Sequence, residues 1–171
     1  MNEWHSIWLM PAADDLAFFQ SIVEDLSGRL GTEAFCPHLT LMEDMPRSRD
    51  DLATVLSRHF TGQKSFEATI NRVDGLPLFF RSLFAGFEAA GPLIDLKTLA
   101  VKAFERGDVE SFMPHVSLAY GVTEEQKAQP IADLSARLTD KVIRFTEVAV
   151  TASAQSIPIK DWQIVHRHAL I

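Results

Sequence analysis

One cysteine stands in the whole chain, Cys36, so no internal disulfide can form and an oxidising compartment would add nothing to this fold. Basic side chains are also in deficit: 16 Lys and Arg face 23 Asp and Glu, a formal net charge of −7. Duplex DNA or long RNA would meet net repulsion, which leaves room for a small anionic ligand in a locally positive pocket. No apolar run approaches the ~18 residues that a membrane span needs. The opening MNEWHSIWLMPAADD has neither the basic lead nor the long apolar segment of a secretory signal. Low-complexity tracts and Gly/Ser linkers are missing too, so nothing divides the chain into independent domains. These absences lead to an expectation of a cytoplasmic protein with no DNA, long-RNA or membrane partner. A chain of 171 residues that is 47% hydrophobic can bury a core without staples, metals or an assembly partner, and a monomer is expected.

What is present is an alternation of strand and helix patterns along the whole length. WHSIWLM is short, apolar and aromatic and stops at Pro11, as a buried strand would. In the segment that follows, Leu16, Phe19, Ile22, Val23, Leu26 and Leu30 recur at helical intervals, with Asp14 and Asp15 at the start and Gly31 at the stop. PHLTLM reads as a strand, and RSRDDLATVLSRHF as a helix capped by Ser48. SFEATINRV and LFFRSLFAGFE read as a hairpin around DGLP. PLIDLKTLAVKAFERG reads as a third helix, with Pro92 in its first turn and Gly107 beyond its end. The remainder gives a strand in PHVSLAYG, a helix interrupted or started by Pro130, a long alternating strand in KVIRFTEVAVTAS and a last strand in WQIVHRHAL.

Two stretches repeat one another. FCPHLTL, from Phe35 to Leu41, and FMPHVSL, from Phe112 to Leu118, share the order Phe-x-Pro-His-aliphatic-hydroxyl-Leu. Each has a helix before it and a helix and a strand pair after it, as a duplicated β-α-β unit would. Side chains alternate along a strand, so His38 and Thr40 share one face, and His115 and Ser117 share another. Burying an unpaired imidazole or hydroxyl costs on the order of 1 to 3 kcal/mol, so these groups should face a cleft. A single His-x-Thr triplet is a weak signal, but a matched pair in corresponding places is a strong one.

Two imidazoles and two hydroxyls around one cleft suit the cleavage of a phosphodiester. One neutral ring takes a proton from attacking water while the other, as imidazolium, protonates the departing sugar oxygen. The hydroxyls donate to the non-bridging phosphoryl oxygens. Histidine fits both tasks because its reference pKa lies near 6.5. No metal or other cofactor is called for.

These residues resemble the 2H phosphoesterase superfamily, within it the cyclic phosphodiesterase-like branch. PHLTL and PHVSLAYG look like its two signature strands, while HSIWLMP, FFRSLFAGFE and WQIVHRHAL look like its flanking strands. The resemblance implies an α+β fold: duplicated β-α-β units, bilobal, with two mainly antiparallel sheets flanking a central cleft and helices outside. Residues 1–171 would form a single domain of two pseudo-symmetric lobes, each giving one histidine motif. It also implies metal-independent opening of a nucleoside 2′,3′-cyclic phosphate or ADP-ribose 1″,2″-cyclic phosphate to a monoester. His38 and His115 would be the acid-base pair, and Thr40 and Ser117 the phosphate ligands.

Five further residues carry expectations. Tyr120 is read as continuing the Ser117 face, either stacking on a base and lining the cleft or packing at the strand end. Arg81 lies in a run too apolar for a solvated charge and is a phosphate contact or half of a structural ion pair. A Cys36 thiol nucleophile would leave the second histidine motif without a role. His166 and His168 share a face of the last strand, half of a metal site, but the segment supplies no third ligand and solvated histidines explain them. Two rival functions remain: an RNA-end processing 2′,3′-cyclic phosphodiesterase or 2′-5′ RNA ligase-like enzyme, and a nucleotide-binding module without turnover.

Overall fold

The computed structural model describes residues 3–171. Seven strands and four α-helices alternate in the order β1 (His5–Pro11), α1 (Ala13–Leu30), β2 (Leu39–Met45), α2 (Arg49–His59), β3 (Phe66–Asp74), β4 (Leu83–Phe87), α3 (Gly91–Phe104), β5 (His115–Ala119), α4 (Glu124–Leu138), β6 (Val142–Ala152) and β7 (Gln163–Ala169). After β1 the order helix, strand, helix, strand, strand occurs twice.

Every strand pairing is antiparallel. β1 runs between β2 and β6; β6 pairs with β3 along Val142–Phe145 and with β7 along Glu147–Ala152. β4 joins β3 to β5. The two strand groups, β1/β2/β6/β7 and β3/β4/β5, meet twice: where β3 pairs with the first half of β6, and between β2 and β5 at the single pair Leu39 with Val116. The first group joins the early strands β1 and β2 to the late strands β6 and β7, while the second is built from the middle of the chain, with α3 between β4 and β5.

Local chemistry sets the helix ends. Asp14 and Asp15 occupy the first turn of α1, and Gly31 closes it at φ 70° with its N–H on the Ser27 carbonyl. The Ser48 hydroxyl accepts from the Asp51 N–H at 3.2 Å, capping α2 as its sequence suggested. At α4 the Gln126 side chain reaches back to the Thr123 N–H at 3.2 Å, so the helix starts six residues before Pro130 and continues through it. Pro130 is neither a start nor an interruption.

A second correction concerns LFFRSLFAGFE. Only Leu83–Phe87 is strand; Phe79–Arg81 forms a 3₁₀ turn instead. The turn is tied down from several sides. The Ser82 hydroxyl donates to the Ala119 carbonyl and accepts from the Val122 N–H, both at 3.1 Å. The Arg81 carbonyl accepts from the Leu76 N–H at 2.8 Å. Lys127, nearly buried, donates to the Leu76 carbonyl at 2.7 Å and pairs with Glu124. A continuous strand would have forfeited these partners.

The helices supply Phe19, Leu26, Leu52, Leu56, Leu96 and Leu134, among others, to one apolar core. From the strands that core receives Ile7 and Leu9, Leu39 and Leu41, Val116 and Leu118. The alternate residues, Ser6 and Trp8, His38 and Thr40, His115 and Ser117, are left to the opposite face. The helix-packed face thus fixes, by alternation, which side chains must line the cleft.

Candidate active site

The opposite face encloses a cavity of about 660 Å³, and all six side chains singled out from the sequence, His38, Thr40, Arg81, His115, Ser117 and Tyr120, line it. Behind it, on the core side of the strands, Leu39 pairs with Val116. Extending that antiparallel register by one residue in each direction sets His38 across from Ser117 and Thr40 across from His115. Directly opposed residues lie about 5 Å apart on the same face. Each imidazole therefore stands beside the hydroxyl of the other motif, and the two rings lie diagonally across the seam.

Both rings are held the same way. Nδ1 of His38 lies 2.8 Å from the Cys36 carbonyl, and Nδ1 of His115 lies 2.8 Å from the Met113 carbonyl. A carbonyl only accepts, so each Nδ1 carries the proton and each neutral ring leaves its Nε2 lone pair free. Burial pushes the His38 ring down to about 4; the bond to the Cys36 carbonyl opposes this and the nearby His115 adds to it. Burial also lowers His115, with its Met113 bond opposing, Arg81 and Arg72 lowering it further and Glu43 raising it. The Trp8 indole lies flat on the His38 ring.

Ser117 Oγ donates to the Phe80 carbonyl at 3.2 Å, a long bond that a rotating hydroxyl can exchange for a phosphoryl oxygen. Arg81 reaches the cavity from the 3₁₀ turn and pairs there with Glu43 at 3.2 Å. Tyr120 arrives by a different route from the one expected. It lies three positions beyond Ser117, off the strand alternation, and turns toward the cavity because β5 ends at Ala119 and Gly121 takes φ 67°. Its ring is buried, stacked on Phe35 at 4.0 Å, and burial raises its hydroxyl well above the usual tyrosine range.

Cys36 lies outside the cavity wall, packed near Trp8 and Met10, and burial pushes its thiol up, the wrong direction for a nucleophile. His166 and His168 sit on the edge strand β7, away from the cavity. Among the described residues no group of three or more His, Cys, Asp or Glu side chains converges to hold a metal ion.

The sequence reading missed the aromatic wall. All three tryptophans, Trp4, Trp8 and Trp162, line the cavity. The signal was available for the first two, since Trp4, Ser6 and Trp8 recur with period two on one face of the first strand. Trp162 gave no such signal: it precedes β7 in a loop and is fixed by donating Nε1–H to the Ile157 carbonyl at 3.0 Å. Arg106 and Glu43 were also missed; both border the cavity, Arg106 from a segment read only as a helix end and Glu43 from one residue beyond the segment read as a strand.

Comparison with known proteins decides the family. The 2′-5′ RNA ligase superfamily profile matches residues 12–156. The chain belongs to this superfamily, the 2H phosphoesterases. Within the superfamily it is similar to a cyclic phosphodiesterase of Arabidopsis thaliana, 25% identical over 124 residues that span 72% of this chain and 68% of that one. Its fold is that of LigT from E. coli: the apo structure superposes with a TM-score of 0.65 at 17% identity, covering 98% of this chain and 97% of LigT. The LigT complex with 3′-AMP also gives 0.65, at 14% identity and 99% of both chains. No helix among the described residues is long and apolar enough to cross a membrane.

Proposed function

We propose that the chain is a metal-independent cyclic phosphodiesterase that hydrolyses a small nucleotide cyclic phosphate, a nucleoside 2′,3′-cyclic phosphate or ADP-ribose 1″,2″-cyclic phosphate, to a phosphomonoester. The observation that carries this reading is that His38, Thr40, His115 and Ser117 line one cavity, on the two strands joined by the pair Leu39 with Val116. A phosphorus atom held over the seam has one Nε2 on either flank. The neutral ring's Nε2 takes a proton from water as the water oxygen bonds to phosphorus. The other ring, protonated, gives its Nε2 proton to the ribose oxygen whose bond to phosphorus breaks. Thr40 and Ser117 donate to the non-bridging oxygens, and Arg81 with Tyr120 closes the wall around them. Both proton transfers are thus assigned to side chains, and the step requires no Lewis acid.

The family supports phosphoesterase chemistry, and the ligand of one LigT structure, 3′-AMP, is a nucleoside monophosphate of the product class. An RNA-end enzyme of the same superfamily is the competing reading, favoured by the family's ligase members. The net charge of −7 weighs against a long RNA footprint, which needs a basic track. Incubation with the four nucleoside 2′,3′-cyclic monophosphates, ADP-ribose 1″,2″-cyclic phosphate and a 2′-5′ dinucleotide, resolved by phosphorus NMR, tests both. Conversion of a cyclic ester to monoester is expected; action on the dinucleotide alone would favour the competitor, and no turnover would leave a binding module.

A further inference from the structure

Two arginines line the cavity, Arg81 and Arg106, and they are held differently. Arg81 is paired with Glu43. Arg106 enters none of the ion pairs among the described residues, and its exposed side chain is tethered by one hydrogen bond, from Nη2 to the Asp44 carbonyl at 2.8 Å. The Asp44 carboxylate is committed elsewhere: one oxygen accepts from the Ser6 hydroxyl at 2.7 Å and the other from the Gln155 N–H at 3.1 Å. The remaining donors of the Arg106 fork are thus left for a ligand. In a chain of net charge −7, a cation without a contacting carboxylate makes that end of the cleft locally attractive to an anion.

The backbone on both sides is bent to bring this about. α3 ends at Phe104, and Glu105 then takes φ 54°, in the left-handed region that residues other than glycine and asparagine seldom enter. The Arg106 N–H turns back to the Val101 carbonyl at 3.3 Å. Across from it β2 carries an extra residue: His5 pairs with Met45 but Ile7 with Met42, a bulge opposite Ser6. Glu43 and Asp44 therefore both border the cavity although they are consecutive.

Position gives the subsite its meaning. Asp44 lies four residues along β2 from Thr40, at most about 13 Å at the rise of a strand. The Arg81–Glu43 pair lies on the way. A group on the far side of a ribose from the reacting phosphate would come within the reach of the Arg106 side chain.

We propose that Arg106 is a second anion subsite, a specificity residue that binds a phosphate of the substrate other than the one that reacts; this rests on the cyclic-nucleotide reading above. The ligand chemistry is a ribose with its cyclic phosphate on one side and a 5-phosphoryl group on the other. That group is a monoester in a 5′-phosphorylated nucleotide and a diphosphate in ADP-ribose. A nucleoside cyclic phosphate with a bare 5′-hydroxyl leaves Arg106 unused.

Calorimetric titration with adenosine 3′-monophosphate, adenosine 3′,5′-bisphosphate and ADP-ribose 1″-phosphate tests this in the wild type, Arg106→Gln and Arg106→Lys, with thermal melting to check folding. Arg106→Gln is expected to weaken at least one of the two ligands with the additional phosphate by roughly 5- to 50-fold, with adenosine 3′-monophosphate held within about twofold and Arg106→Lys recovering part of the loss. Loss for the bisphosphate identifies a 5′-monoester as the occupant; loss for ADP-ribose 1″-phosphate alone identifies a diphosphate. Unchanged affinity for both, equal weakening of all three ligands, or the same loss in Arg29→Gln, which removes a charge on α1, would each overturn the subsite. Turnover of adenosine 2′,3′-cyclic phosphate by the wild type is measured beside these titrations. Its absence would remove the hydrolase reading while the affinities still decide the role of Arg106.

Discussion

The Trp8 indole lies on the His38 imidazole with ring centres 3.5 Å apart and planes 4° from parallel. β1 brings the two together, since Trp8 pairs with Thr40, two residues along from His38. The stack and the bond from Nδ1 to the Cys36 carbonyl leave His38 one orientation, with Nε2 aimed into the cavity. Trp8→Leu should release that orientation and lower kcat by about tenfold, because small misplacements of a proton-transfer group are expensive. Trp8→Phe should recover most of the loss. The measurement is kcat in both variants at matched melting temperature; equal rates in all three proteins would show that the stack is only packing.

His38→Ala and His115→Ala should each cut turnover on the order of 10²- to 10⁴-fold while the protein stays folded, as expected for loss of one general acid or base. Steady-state rates alongside far-UV circular dichroism check this. If activity and fold disappear together, the histidines are structural.

The depressed His38 ring has a consequence for stability. The folded protein takes up that proton only near pH 4, whereas the unfolded chain takes it near 6.5. The contribution is present above about pH 6.5 and is lost as pH falls toward 4, by on the order of 3 kcal/mol at the bottom of that window. Denaturant midpoints measured at intervals from pH 7 to 4 should fall less steeply in His38→Gln than in the wild type. Parallel curves would count against a buried neutral imidazole.

Dialysis against EDTA should leave the rate on a cyclic phosphate unchanged, since the proposed step assigns both proton transfers to His38 and His115. A rate lost on chelation and restored by zinc or magnesium would reassign the chemistry to a metal.

Much of the site was legible because alternation in a strand is a strict rule. Once PHLTL and PHVSL were read as strands with leucines buried, His38, Thr40, His115 and Ser117 had to share the other face. The same rule failed for Tyr120, which lies past the end of β5, where a turn and not a pleat decides direction. LFFRSLFAGFE misled for a related reason. Its apolar run satisfies strand periodicity, but Ser82 and Lys127 capture the backbone into a turn, and those partners come from the β5–α4 region some forty to fifty residues away. Arg106 and Trp162 enter the cavity through tertiary placement that no local pattern encodes.

The crossing of early and late strands has a further consequence for how the protein comes into being. β1 and β2 leave the ribosome long before β6, the strand that flanks β1 on its other edge. Until then the backbone of β1 has a bare edge, and the sheet around His38 lacks a wall. Assembly has to await distant segments, so folding should be slow for a chain of this size and most vulnerable to edge-to-edge association during translation.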